Sequence, residues 1–431
     1  MLSAVRTPCR RATTKSLRSF ATAVDAAGLK IAAVDNGQPC ASVTFLVKAG
    51  SRHEAKAGLA HALKNYAFKN TADRSALRIA RETELYGGVL SSSLGREHLA
   101  LTAEFLKGDE EFFVDVLSKI ITSTRYTPHE FHESVLPSVQ AESTEAAHSP
   151  SLTALDAAHA LAFRKGLGSS LFASPAGPEL TSEDVKSFAS HVFTKSGVSV
   201  FGTGIEPSLL SKLVEKSLGG LAQGSSVGNT GASKYFGGES RMLIDAHGQQ
   251  TLFIGYGTPG PVTPELSVLA AHLSAGPAIP WVSNDERVST FHGLPKGASV
   301  QTVLLPYSDA TLFGFLVSGP TSESVTAAGK TVVGALKEAT GSIKADAYKR
   351  AVAKAKFNAA TAVDTRAGML EAVSLGLLRG ESPNVQSVFK SIDAVSAQGA
   401  SQALSKLAKS KPVYVAVGDV HSLPYADEVG L

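Results

Sequence analysis

The chain is built from a pattern that occurs twice. A Gly- and Ser-rich stretch, GGLAQGSSVGNTG, runs from 219 to 231. On either side, the same succession of patterns returns at a period of roughly 200 residues. Each half opens on an apolar alternation, Val43, Phe45 and Val47 in the first and Leu252, Ile254 and Tyr256 in the second, which reads as a strand. A helix follows each strand. In the second half Thr263 is its N-cap, Pro264 its first turn, and Leu266, Leu269, Ala270 and Leu273 its apolar face. In the first half the helix runs from about Gly58 to Phe68. The next strands, His98 to Leu106 and Ala310 to Val317, match in character, and helices begin after them at Asp109 and at Ser322. The first half closes with a capped helix from Thr181 and the strand Val198 to Phe201; the second closes with a helix over Ser401 to Leu407 and the strand Val413 to Val417. Strands mixed with helices, without strict βαβ alternation, predict an α+β fold of two similar, pseudo-symmetric α/β sandwich domains.

The helix of the first half carries the most informative string. His61-Ala-Leu-Lys64-Asn65 stands where an inverted zinc motif, H-x-x-E-H, would stand. The first His is present, but Lys64 holds the Glu position and Asn65 the second His position. Glu142, 77 positions beyond Asn65, is a candidate distant carboxylate ligand. Catalytic zinc needs about three protein ligands and a water activated by a nearby base. Two candidate ligands remain and a cation replaces the base, so the expectation is a non-catalytic chain with no bound metal and no cofactor. A satisfied polar cluster, Glu142 paired with Lys64 or His61, is the favoured reading of these four positions, with Asn65 in core-like hydrogen bonding.

Composition bounds the rest. Residues 1–20 contain five basic side chains, no acid and many hydroxyls, with no continuous apolar run; this is the composition of a mitochondrial transit peptide. Without it the net charge falls from +3 to about −2, which gives no signal for nucleic acid. No stretch reaches the ~18 apolar residues of a membrane span, so membrane association is expected through partners only. Of two cysteines, Cys9 lies in the leader and Cys40 has no internal partner. His129 and His132 follow the helix start Thr127-Pro128 and read as a solvated first turn; Glu82 and Glu84 read as a wet helix face. No P-loop or paired-Cys motif occurs. Trp281 sits in a Pro-bounded turn and reads either as an anchor for a neighbouring subunit or as packing on its own domain. The expected organisation is a leader over 1–20, an N-terminal unit over 21–218, an exposed linker over 219–233 and a C-terminal unit over 234–431.

Several strings together resemble the pitrilysin-type metallopeptidases: Gly50 to Glu54, Gly58 to His61, Ala67 to Thr71, Gly87-Gly88, and Pro306 to Asp309 followed by Leu312 to Gly314. The resemblance covers nearly all of 25–431. Within that family, Lys234 to Glu239, Ser274 to Pro277 and Pro424 to Glu428 are similar to the non-catalytic core subunits of mitochondrial ubiquinol–cytochrome c reductase, respiratory complex III. That resemblance implies a structural role in assembly and stability, peripheral on the matrix side of the inner membrane. It implies pairing with core protein 1, and cytochrome b, cytochrome c1 and the Rieske protein as further partners in a dimeric complex whose other subunits carry the electrons. The non-catalytic α subunit of the mitochondrial processing peptidase is the alternative. It typically carries a long Gly-rich loop in its C-terminal half, where this chain has only LSAGPAIPWV over 273–282.

Overall fold

The computed structural model describes residues 22–431 apart from 27, 36, 175–178, 225–230, 245–247, 275, 277–289, 292, 342 and 380–384. The leader over 1–20, the centre of the Gly/Ser-rich stretch and Trp281 lie outside the described residues.

The first half contributes strands β1 Thr22–Ala26, β2 Leu29–Val34, β3 Cys40–Val47, β4 Val89–Leu94, β5 Leu99–Leu106 and β6 Val198–Thr203. Its helices are α1 Leu59–Asn65, α2 Ala76–Leu85, α3 Glu110–Ser123, α4 Pro128–Glu130, α5 Leu136–Ala147, α6 Pro150–Phe163, α7 Ser182–Val192 and α8 Pro207–Leu218. The second half contributes β7 Gly238–Leu243, β8 Gln250–Pro259, β9 Ser299–Pro306, β10 Ala310–Gly319 and β11 Val413–Gly418. Its helices are α9 Pro264–His272, α10 Ser322–Gly341, α11 Ala345–Ala362, α12 Arg366–Arg379, α13 Val385–Asp393 and α14 Ala397–Ala408.

Two mixed sheets result, ordered β1-β2-β6-β3-β5-β4 and β7-β11-β8-β10-β9. From β2 onward the two orders are the same. Each contains one parallel pair, β2 with β6 and β7 with β11. The first sheet has one strand more, β1, antiparallel to β2. The fold is α+β, with two sheets built alike.

Helices cover each sheet for the reasons the sequence supplies. Thr181 and Asp184 close a capping box at α7, and the Thr263 side chain accepts from the Leu266 amide at α9. On the first sheet Val43, Phe45, Val47, Leu101 and Val200 pack against Phe113, Leu117, Val185 and Leu210 of the helices. On the second, Ile254, Phe313, Phe315 and Tyr414 pack against Leu269, Val325, Val332 and Leu404.

The opposite faces are covered by exchange. α6, from the first half, lays Ala154, Ala158, Ala162 and Phe163 on Phe253, Leu312, Val413 and Val415 of the second sheet. α12, from the second half, places Val373, Met369 and Leu370 against Ala32, Leu46, Ala100 and Phe201 of the first. The Gly/Ser-rich segment is not simply exposed: Leu221 is buried in the first core, the Ala222 carbonyl accepts from the Lys195 amide at 3.0 Å, and the Ser233 amide donates to Asp309 Oδ2 at 2.9 Å. Apolar burial at one end and a hydrogen bond to the half-buried Asp309 at the other hold what composition alone reads as a free tether.

Candidate functional site

α1 sits where it does because of two glycines and a carboxylate. Gly58, at its N-cap, has φ 89°, which favours glycine; a Cβ there would stand 2.6 Å from the Ala173 side chain. Glu54 Oε2 accepts from the Gly58 and Ala60 amides, both at 3.1 Å, placing a carboxyl at the positive helix end. Burial outweighs those bonds and pushes Glu54 up to about 7. Gly50 lets the chain pass against the Arg96 carbonyl, which accepts from the Arg52 amide at 2.8 Å.

The four residues singled out by the motif converge. Glu142, from α5, receives His61 Nε2 at 2.6 Å on Oε2, Lys64 Nζ at 2.6 Å on Oε1, and Asn65 Nδ2 at 3.3 Å on Oε2. Asn65 Nδ2 also reaches the His61 carbonyl at 3.2 Å. The Ala173 amide donates to His61 Nδ1 at 3.2 Å. That bond fixes the tautomer: Nδ1 is the acceptor, so Nε2 carries the hydrogen it gives to Glu142. Phe172 meets the imidazole edge-on at 5.5 Å.

Electrostatics follow from this geometry. Burial raises the Glu142 carboxyl, but donation from Lys64, His61 and Asn65 overcomes it and holds the group down at about 2. Burial lowers His61, against the pull of Glu142, which keeps the ring neutral. Zinc does not fit these residues. Neither imidazole nitrogen turns a free lone pair toward Glu142, and the Lys64 ammonium repels a second cation at that carboxylate. Among the described residues no three His, Cys, Asp or Glu side chains are grouped to hold a metal.

Other expectations sort themselves. His129 and His132 are solvent-exposed. Glu82 is bound by Arg74 and Arg78 on the surface and does not approach the cluster. Among the described residues no helix is long and apolar enough to cross a membrane.

Beside α1 lies an ionic junction that sequence reasoning missed. Arg52 forks onto Asp309 with bonds of 2.6 and 2.7 Å and bonds Glu97 at 2.8 Å. Glu97 Oε2 in turn accepts from the Ser308 amide at 2.8 Å. Arg52 and Glu97 come from the first half, Ser308 and Asp309 from the β9–β10 turn. Nearby, His159 of α6 takes the Tyr307 hydroxyl at 2.8 Å. Glu97, His159 and Tyr307 border a cavity of about 430 Å³ between the halves, lined also by Arg96, Asp156, Phe172 and Leu370 among others. Both partners of the Arg52–Asp309 pair lie in strings that the sequence already marks; their meeting leaves no local signal.

With the geometry of the site in hand, comparison with known proteins gives the family. The family described as Insulinase (Peptidase family M16) matches residues 30–174. The mitochondrial cytochrome b-c1 complex subunit 2 of Cryptococcus neoformans var. grubii is 43% identical over 422 residues, covering 96% of each chain. The chain belongs to the cytochrome b-c1 complex subunit 2 family. The subunit 2 of Yarrowia lipolytica is 35% identical, covering 96% of this chain and 97% of the relative. The mitochondrial-processing peptidase subunit alpha of Solanum tuberosum is 28% identical, covering 93% and 82%. As a subunit 2 family member the chain is mitochondrial, a non-catalytic homologue of the M16 peptidases.

Proposed function

We propose that this subunit 2 homologue acts as architecture: the core protein 2 of respiratory complex III, peripheral on the matrix face of the inner membrane. In this reading core protein 1 is its direct partner, and cytochrome b, cytochrome c1 and the Rieske protein share the assembly. His61, Lys64, Asn65 and Glu142 are then the positions of a degenerate zinc motif, residues 1–20 are the transit peptide, and 21–218 and 234–431 are the two peptidase-like units. One observation carries the proposal. The carboxylate that would hold a metal is saturated by an ammonium, an imidazole N–H and an amide, so water activation has no seat while the scaffold around it is intact. The strong identity to proteins named as complex subunits supports the assembly role.

The test is genetic and biochemical. Cells lacking the chain should fail to accumulate assembled complex III, and the tagged chain should co-purify with cytochrome b, cytochrome c1 and the Rieske protein. Normal assembly and quinol oxidation without it would defeat the proposal. Presequence cleavage that requires this chain, on mixing it with a catalytic partner, would favour the processing-peptidase reading instead.

A further inference from the structure

The two sheets share one order, except that among the described residues β1 has no counterpart in the second. In the first half β1 pairs antiparallel along the outer edge of β2, Thr22 opposite Ala33 through Ala26 opposite Leu29. In the second half the equivalent edge strand is β7, parallel to β11 on its inner side. Among the described residues, no strand pairs with its outer side. An open edge presents a row of backbone donors and acceptors and is a template for another strand. The end of β7 is also apolar and exposed: Leu243 is 69% exposed and Met242 37%, with Tyr425 beside them at 54%.

We infer that the outer edge of β7 receives an extended segment of a different polypeptide, antiparallel, in the position that β1 takes in the first half. The internal repeat sets its polarity and its length, about five residues. Charge sets its kind. Arg241 is consumed: its guanidinium lies over the Tyr425 ring at 3.7 Å and donates to the carbonyls of Pro424, Val420 and Leu423. Glu239 and Glu428 are exposed and both lie close enough to raise the Tyr414 hydroxyl, after burial itself; Glu428 also accepts from the Tyr425 amide at 2.8 Å. A second copy of this chain would bring the same acids against themselves. A strand with alternating apolar residues and flanking Lys or Arg matches instead, by main-chain pairing with side-chain selectivity.

This inference rests on the chain's being a subunit of a larger assembly, and the experiment separates the two. The chain is expressed with Leu243→Cys and Cys40→Ser, and the complex is purified on it. If the respiratory subunits do not co-purify with the unsubstituted chain, the assembly reading fails. If they do, maleimide labelling at position 243 should be slowed on the order of tenfold in the complex relative to the free chain, and the backbone amides of 238–243 should gain protection of similar size from hydrogen exchange. A benzophenone attached at position 243 should cross-link to one different subunit. Equal labelling and exchange in the two states, or a cross-link to a second copy of this chain, would overturn the inference. Exchange on the unsubstituted chain keeps the test valid if the variant misfolds.

Discussion

Two helix pairs stand at corresponding places along the two halves and are filled in opposite ways. α1 and α5 meet over a charged knot, Glu142 with His61, Lys64 and Asn65. α9 and α11 meet over an apolar seam of Val268, Ala271, Ala351 and Ala355, closed by Ile392 and Val395. Polar contacts lie at its edge, where Lys354 donates to Ser274 Oγ and the Gly276 carbonyl and Tyr348 donates to the Val395 carbonyl. Packing alone produces the seam, because small side chains let helices approach closely. The knot is not a packing solution: sequestering ions costs desolvation that their pairing only partly returns. A polar cluster in one copy and a dry contact in the other is the difference expected if His61, Lys64, Asn65 and Glu142 are the positions of a degenerate zinc motif, as proposed above.

The strongest way to break the comparison is to put a carboxylate into the dry seam. Val268→Asp should destabilise the protein by about 3–5 kcal/mol, since Val268 is fully buried among apolar side chains; a guanidinium midpoint close to the parent's would show that the seam is not dry. The reverse experiment rebuilds chemistry in the knot. Lys64→Glu with Asn65→His should take up zinc, with a gain of about 2.7 kcal/mol at a hundredfold excess over its dissociation constant. The parent should hold only traces by elemental analysis, and stoichiometric zinc in the parent would sink the neutralised-site argument.

Lys64→Met should cost about 1–2 kcal/mol, a partly exposed pair being screened. Adding Glu142→Leu should return most of that loss; a strictly additive double mutant would mean the two groups are uncoupled. The smallest effect is in acid. Glu142 is held at about 2 against an ordinary 4.5, so its stabilisation is complete above 4.5 and drains away as pH falls from there toward 2. Glu142→Gln should therefore narrow its gap to the parent over that interval, as followed by thermal unfolding; a constant gap would place the bonds elsewhere.

What could be read beforehand was local. Thr263-Pro264 and the Thr181–Asp184 box announce helix starts because a cap satisfies amides within the same turn. β3 and β8 show in their own apolar runs, and the order of those runs shows the duplication. Glu142 could be connected to His61 only through resemblance to a family, for nothing in 80 intervening residues brings them together. The Ala173 amide, which fixes the imidazole tautomer, belongs to an irregular segment whose one trace in sequence is Gly58, the residue that lets it approach. β1 and β7 were invisible because an edge strand is defined by its neighbour. The destinations of α6 and α12 were invisible for a similar reason: Ala154, Ala158 and Ala162 announce a smooth helical face without saying which sheet it covers.

That exchange of covering helices bears on how the polypeptide matures. α6 is complete by residue 163, yet Val413, Val415 and Val417 of the sheet beneath it are made far later in the chain. A nascent or newly imported chain must therefore carry a bare alanine face until β11 arrives. Truncation before β11 removes part of the face that α6 covers, and truncation before α12 also uncovers the first sheet, so fragments of this protein should be targets for chaperones and proteases rather than stable products.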